Sequence, residues 1–186
     1  MIKLKMDFDQ KQTFKLVLVG DPMVGKTSLR RRYLGEGFSY NYLMTIGADF
    51  GIKRIGNTIF QIWDLAGQEN FEVVREGYYN GANGALVVFD VTRPQTYENI
   101  PRWIDEVIKN VGKMIPFILV GNKVDLRKEG EKWCVPTEVA KNYAETLSDW
   151  SGYDVSYVET SALLGFNVEK VFEDLVEEIS NSMLMD

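Results

Sequence analysis

The chain has 186 residues, 21 of them lysine or arginine and 27 aspartate or glutamate, for a formal net charge of −6, with 45% hydrophobic and 26% charged residues. That length fits one domain better than two, since domains run to roughly 100–200 residues, and the composition excludes a disordered, collagenous or coiled-coil chain. The acidic balance disfavours non-specific nucleic-acid binding, no run of about 18 apolar residues is present to span a bilayer, and the absence of histidine removes imidazole catalysis and histidine-ligated zinc.

From the N-terminus, Ile2 to Asp9 alternates apolar and charged residues and reads as an added edge strand within an extension over 1–13, with no apolar signal-peptide region. A weak interfacial membrane anchor is the competing expectation for this stretch. Short apolar runs rich in branched residues follow at Phe14–Gly20, Ile46–Ile55, Thr58–Asp64, Gly84–Asp90, Pro116–Gly121 and Val155–Glu159. Between them lie helical patterns, an alternation that predicts an α/β fold of parallel strands and crossover helices. Only Gly56 and Asn57 separate the second run from the third, too few for a crossover, so these two form an antiparallel hairpin. A six-stranded, mostly parallel sheet with one reversed strand and about five flanking helices is expected over 14–180, before a short tail at 181–186. The last helix is the clearest: Val168, Val171, Phe172, Leu175, Val176 and Ile179 recur at intervals of three and four, opposite an acidic, solvated face. Cys134 is the one cysteine, so no internal disulfide can form and a reducing, cytoplasmic setting is expected.

Three motifs carry chemistry. Gly20-Asp21-Pro22-Met23-Val24-Gly25-Lys26-Thr27, followed by Ser28, matches GxxxxGK[ST] between a predicted strand and a predicted helix. In such a P-loop the backbone N–H groups surround phosphate oxygens, Lys26 reaches the outer phosphates, and the Thr27 hydroxyl ligates magnesium. Asp64-Leu65-Ala66-Gly67-Gln68 ends the hairpin. There Asp64 can face the magnesium, Gly67 leaves room for a backbone N–H near the terminal phosphate, and Gln68 can orient an attacking water. Asn122-Lys123-Val124-Asp125 follows another predicted strand, where the ligands of open α/β sheets bind. Asp125 can accept two hydrogen bonds from the N1–H and N2 amino group of guanine, donors that adenine lacks, and this excludes ATP.

With these motifs in order from about Phe14 to Ile179, the sequence resembles a Ras-superfamily small GTPase and is most similar to the Rab branch. The resemblance implies a GTP/GDP switch with magnesium that hydrolyses GTP slowly. It implies that Thr45 reaches the metal when the third phosphate is present, with Asp64 acting through water. The Ala162 N–H of Ser161-Ala162-Leu163 would contact the guanine oxygen, Phe38 would pack on the base, Lys123 would lie over its ribose side, and Tyr42 would lie across the phosphates. Phe50, Trp63 and Tyr78 fall where that branch carries an aromatic surface for effectors, with a buried core role as the alternative. Effector proteins, an exchange factor and a GTPase-activating protein are the implied partners of a monomer.

The sequence also departs from the family. Pro22 and Met23 stand where serine and glycine are usual, and Pro22 lacks an N–H donor. Hydrolysis is therefore expected to survive but to respond weakly to an arginine supplied by a partner. Leu65 replaces the usual threonine, with no physical consequence assigned. The stretch between Thr146 and Glu159 is expected to place Trp150, Gly152 and Tyr153 in a surface loop. No cysteine follows Cys134, so if this is the natural end a C-terminal prenyl group has no acceptor and membrane association is expected to need another route. A constitutively GTP-bound module without hydrolysis is the main competing function, although the retained Gln68 and Thr45 oppose it. A P-loop kinase or ATPase would need no Asn122-Lys123-Val124-Asp125.

Overall fold

The computed structural model describes residues 12–39, 44–127 and 133–184. Six strands, β1 (Thr13–Val19), β2 (Ala48–Ile55), β3 (Thr58–Leu65), β4 (Gly84–Asp90), β5 (Phe117–Asn122) and β6 (Tyr157–Thr160), form one sheet in the order β2-β3-β1-β4-β5-β6. β2 and β3 are antiparallel with Ile55 opposite Thr58, and Gly56 turns the chain at φ 58°. Every other pairing is parallel, as the alternation of strand and helix patterns requires. β2 starts at Ala48 and not Ile46, because Gly47 has φ 73° and interrupts the extended backbone. The last strand starts two residues later than its apolar run, at Tyr157.

The helices are α1 (Lys26–Tyr33), α2 (Glu72–Glu76), α3 (Pro94–Glu98), α4 (Ile100–Val111), α5 (Thr137–Ser151) and α6 (Val168–Met183). Asn99 alone separates α3 from α4, so these two form one bent body and the described residues contain five helical bodies. α5 runs further than expected: Trp150 lies on its last turn, not in a loop, and Gly152 ends the helix in the left-handed region with its N–H on Ser148 O at 3.0 Å. The predicted N-terminal edge strand and Tyr42 lie outside the described residues.

Alternation along the strands divides the core in two. Val17, Val19, Ala85, Val87, Phe89, Phe117 and Leu119 face α4 and α5, packing on Trp103, Ile104, Val107, Ala140 and Leu147. Leu16, Leu18, Leu86, Val88, Ile118 and Val120 face the other way, onto Leu29 and Tyr33 of α1 and the apolar face of α6. All seven residues of β4 are buried, as expected of a central parallel strand covered on both faces. The carboxyl ends of β1, β3, β4 and β5 therefore share one edge of the sheet. Both ligand-type loops and the end of the hairpin open there.

Candidate functional site

The loop after β1 needs its glycines for space. A Cβ on Gly20 (φ 141°) would lie 2.1 Å from Val88 O, and one on Gly25 (φ 104°) 2.2 Å from Asn122 Nδ2. Gly67, arriving from β3, presses on the same loop: its Cβ would lie 2.5 Å from the Asp21 carbonyl carbon and Pro22 N. Lys26 is 6% exposed, and its Nζ donates to Gly20 O (2.6 Å) and Asp21 O (2.9 Å). Burial lowers its pKa to about 8, against the opposing pull of Asp64 and Asp21.

Opposite Lys26, three oxygen-bearing side chains meet. The Thr27 hydroxyl donates to Asp64 Oδ2, and the Thr45 hydroxyl lies 3.2 Å from Thr27 Oγ1 and 3.3 Å from Asp64 Oδ2. Asp64 has no exposed surface and its Oδ1 has no hydrogen-bond partner. Burial pushes its carboxyl above the ordinary carboxylate range, although Lys26 and Thr27 favour the charged form. One orphaned carboxylate oxygen beside two hydroxyls is a hard, oxygen-only donor set, which fits a magnesium ion that keeps several waters.

A cleft of about 320 Å³ runs from these residues to the far loops, lined among others by Met23, Ser28, Phe38, Gln68, Asp125 and Leu163. Gln68 Oε1 has no hydrogen-bond partner. Met23 sits at φ 64°, a left-handed conformation uncommon for a non-glycine residue, and is 54% exposed. Asn122 is buried and works as a staple: its Nδ2 donates to Val24 O (2.8 Å), and its Oδ1 accepts from Thr160 Oγ1 (3.0 Å) and Ala162 N (3.2 Å). The Ser161 hydroxyl donates to Asp125 Oδ1, which orients that carboxylate.

Several supporting residues gave no sequence signal. Asp90, at the end of β4, accepts from Lys123 Nζ at 2.7 Å, from Arg93 Nε at 3.1 Å and from the Thr92 N–H at 2.9 Å. Arg93 Nη2 also donates to Pro22 O (2.9 Å). Trp103 Nε1 of α4 and the amide of Asn99, just before that helix, donate to the two carboxylate oxygens of Asp21 at 2.7 and 2.8 Å. Arg32 of α1 donates to the carbonyls of Ala162 and Leu163. A charged residue in a helix with several others reads as solvated surface, so only the fold reveals these contacts.

The family model for the Ras family matches residues 15–181. The chain belongs to the Ras family. It is 42% identical over 179 residues to the Ras-related protein YPTC6 of Chlamydomonas reinhardtii, covering 94% of this chain and 79% of that protein. The Ras-related protein rab-11.1 of Caenorhabditis elegans is 41% identical, with 95% and 82% covered. The Ras-related protein RABA2a of Arabidopsis thaliana is 40% identical, with 93% and 77% covered. As a Ras-family protein similar to Rab proteins, the chain is a GTP-binding molecular switch that hydrolyses GTP to GDP. The six-stranded sheet with one reversed strand is the architecture expected from the alternating strand and helix patterns and the Gly56-Asn57 turn. Away from the cleft, Phe50 stacks on Trp63 with ring centroids 5.0 Å apart, and Tyr78 meets Trp63 at a tilt with centroids 5.5 Å apart. Phe50 is 51% exposed, whereas Trp63 and Tyr78 are half-buried against the core, so only the first is fully a surface residue.

Proposed function

We propose that the cleft holds GTP or GDP with magnesium and that contacts to the third phosphate set the conformation of the loops carrying Thr45 and Gly67. The observation that carries this proposal is the meeting of Thr27, Thr45 and Asp64 beside Lys26, with an Asp64 oxygen left unsatisfied. Thr27, Thr45 and Asp64 would hold the metal, which when bound would offset phosphate charge. Lys26 exchanges its two loop carbonyls for phosphate oxygens and stabilises charge on the transferred group. The N–H groups of Asp21 to Ser28, Pro22 excepted, line the phosphates. Gln68 orients the attacking water through the amide whose oxygen has no other partner. Among the described residues no carboxylate is placed as an obvious general base, so positioning and electrostatics carry the reaction.

At the other end of the cleft, Asp125 reads guanine, Phe38 and Lys123 flank the nucleoside, and Ser161, Ala162 and Leu163 close over the base. Asn122 acts mainly by tying this loop to the P-loop. Loss of the third phosphate frees the Thr45 and Gly67 contacts, and the two loops relax. The Phe50, Trp63 and Tyr78 stack, beside both loops, suits effector proteins that sense the nucleotide state in a Rab-like trafficking or signalling role, regulated by exchange and GTPase-activating proteins. No helix among the described residues is long and apolar enough to cross a membrane. A cytoplasmic monomer is proposed. Displacement of a bound fluorescent GDP tests the site: GTP and GDP compete, ATP does not, and chelation of magnesium accelerates release. Equal competition by ATP contradicts the assignment.

A further inference from the structure

α2 is turned opposite to expectation for its residue types. Val73 is 78% exposed and Val74 47%, while Arg75 beside them has no exposed surface. The Arg75 guanidinium uses its whole fork. Nε and Nη2 donate to the two oxygens of Glu106 on α4, at 2.6 and 2.8 Å, and Nη1 donates to Gln68 O at 2.6 Å and Ala66 O at 2.9 Å. Its plane lies over the Trp103 ring, 4.9 Å from the centroid. Tyr79 closes the pair by donating its hydroxyl to Glu106 Oε1 at 2.7 Å.

A buried ion pair is weak evidence for stability, because apolar residues of similar volume serve as well. What a purely structural pair does not need is the second half of the fork. The two carbonyls it holds flank Gly67, the residue pressed against the P-loop, and one of them belongs to Gln68. The ring beneath the guanidinium belongs to the residue whose indole N–H anchors Asp21 of that loop. Arg75 thus joins the backbone that carries Gln68 to α4 and, through Trp103, to the phosphate loop.

We infer that Arg75 is a positioning residue for GTP hydrolysis: with Glu106 as anchor, it fixes the backbone on both sides of Gly67 and so the reach of the Gln68 amide. This rests on the proposed role of Gln68. Arg75→Lys keeps a positive charge facing Glu106 but has a single nitrogen in place of the planar fork. Arg75→Gln combined with Glu106→Gln leaves no unpaired buried charge. Single-turnover hydrolysis in magnesium is expected to fall about tenfold or more in both, the scale of a misplaced reacting group. GDP release should stay within about threefold, since the clamp touches no base or ribose contact. In the Arg75→Lys background, Gln68→Ala should then remove little further rate, because the two residues act as one unit. Hydrolysis within about threefold of the parent in the folded variants, or a Gln68→Ala effect of equal size in both backgrounds, overturns the inference. A parent protein indifferent to Gln68→Ala overturns instead the role assigned to Gln68.

Discussion

Asn122, at the end of β5, donates its side-chain amide to the Val24 carbonyl at 2.8 Å, so the loop proposed to read the base and the loop proposed to surround the phosphates are held by one side chain. Replacing it with alanine strands Val24 O, the Thr160 hydroxyl and the Ala162 N–H in a buried setting. Unsatisfied groups of this kind cost about 1–3 kcal/mol each, with part regained by relaxation. Asn122→Ala is expected to lose roughly 3 kcal/mol in urea unfolding at fixed GDP and magnesium. GDP release should accelerate in parallel, and an unchanged release rate would separate the staple from binding.

Asp125 is the proposed guanine-reading group, and the Ser161 hydroxyl donates to its Oδ1. Asp125→Ala removes two charge-assisted hydrogen bonds to the base, each worth about 1.5–3 kcal/mol. Competition binding should show GTP affinity falling by on the order of 10²–10⁴, with ATP affinity little changed. A variant that keeps its preference for GTP would place recognition elsewhere.

Asp90 supplies a pH dependence that can be separated from the metal site. Burial raises its pKa, but hydrogen bonds from Lys123 and Thr92 outweigh that and hold the carboxyl below its usual value. A carboxylate with a depressed folded-state pKa adds stability above its unfolded pKa, near 3.9, and loses it as pH falls through the folded value. Asp90→Asn should therefore be less stable at neutral pH, by about 1–2 kcal/mol, because the partly exposed Lys123 and Arg93 lose charge-assisted hydrogen bonds. It should also show a shallower loss of stability below about pH 4. Parallel acid limbs in the two proteins would contradict this.

The P-loop departures from the family also have a measurable signature. Met23 occupies a left-handed conformation at the cleft mouth, and such a conformation costs a non-glycine residue about 1–2 kcal/mol. Met23→Gly relieves that strain, but glycine loses more entropy on folding, so stability should change by less than about 1 kcal/mol. Joined with Pro22→Gly it should open the approach to the third phosphate. In single-turnover hydrolysis with methylguanidinium as a soluble arginine substitute, the double variant should respond more strongly than the parent. Equal responses would remove the steric explanation.

The motif residues and the strand order of the hairpin were legible because each has a local cause. Gly56-Asn57 permits only a tight turn, and the spacing from Gly20 to Thr27 is a phosphate loop before it is anything else. The apolar positions of α6 were equally legible, since all six are buried. Arg75 was not. In Val73-Val74-Arg75-Glu76 the valines resemble a core face and the arginine a surface one, and only the placement of α4 inverts them. Trp150 is expected in a loop because the stretch from Thr146 to Glu159 is longer than is usual in the family, but with no breaker before Gly152 the helix continues through Trp150. Long-range polar partners such as Asp90 with Lys123 leave no periodic trace in sequence at all.

The protein is expected to empty its own third-phosphate site slowly. Loading the purified protein with GTP and magnesium, removing free nucleotide and quantifying bound GTP and GDP by chromatography over hours tests it directly. Slow, magnesium-dependent appearance of GDP, at a rate on the order of 10⁻⁴ s⁻¹ and reduced by Gln68→Ala, is the expected result. Bound GTP that persists unchanged over the same hours would contradict it.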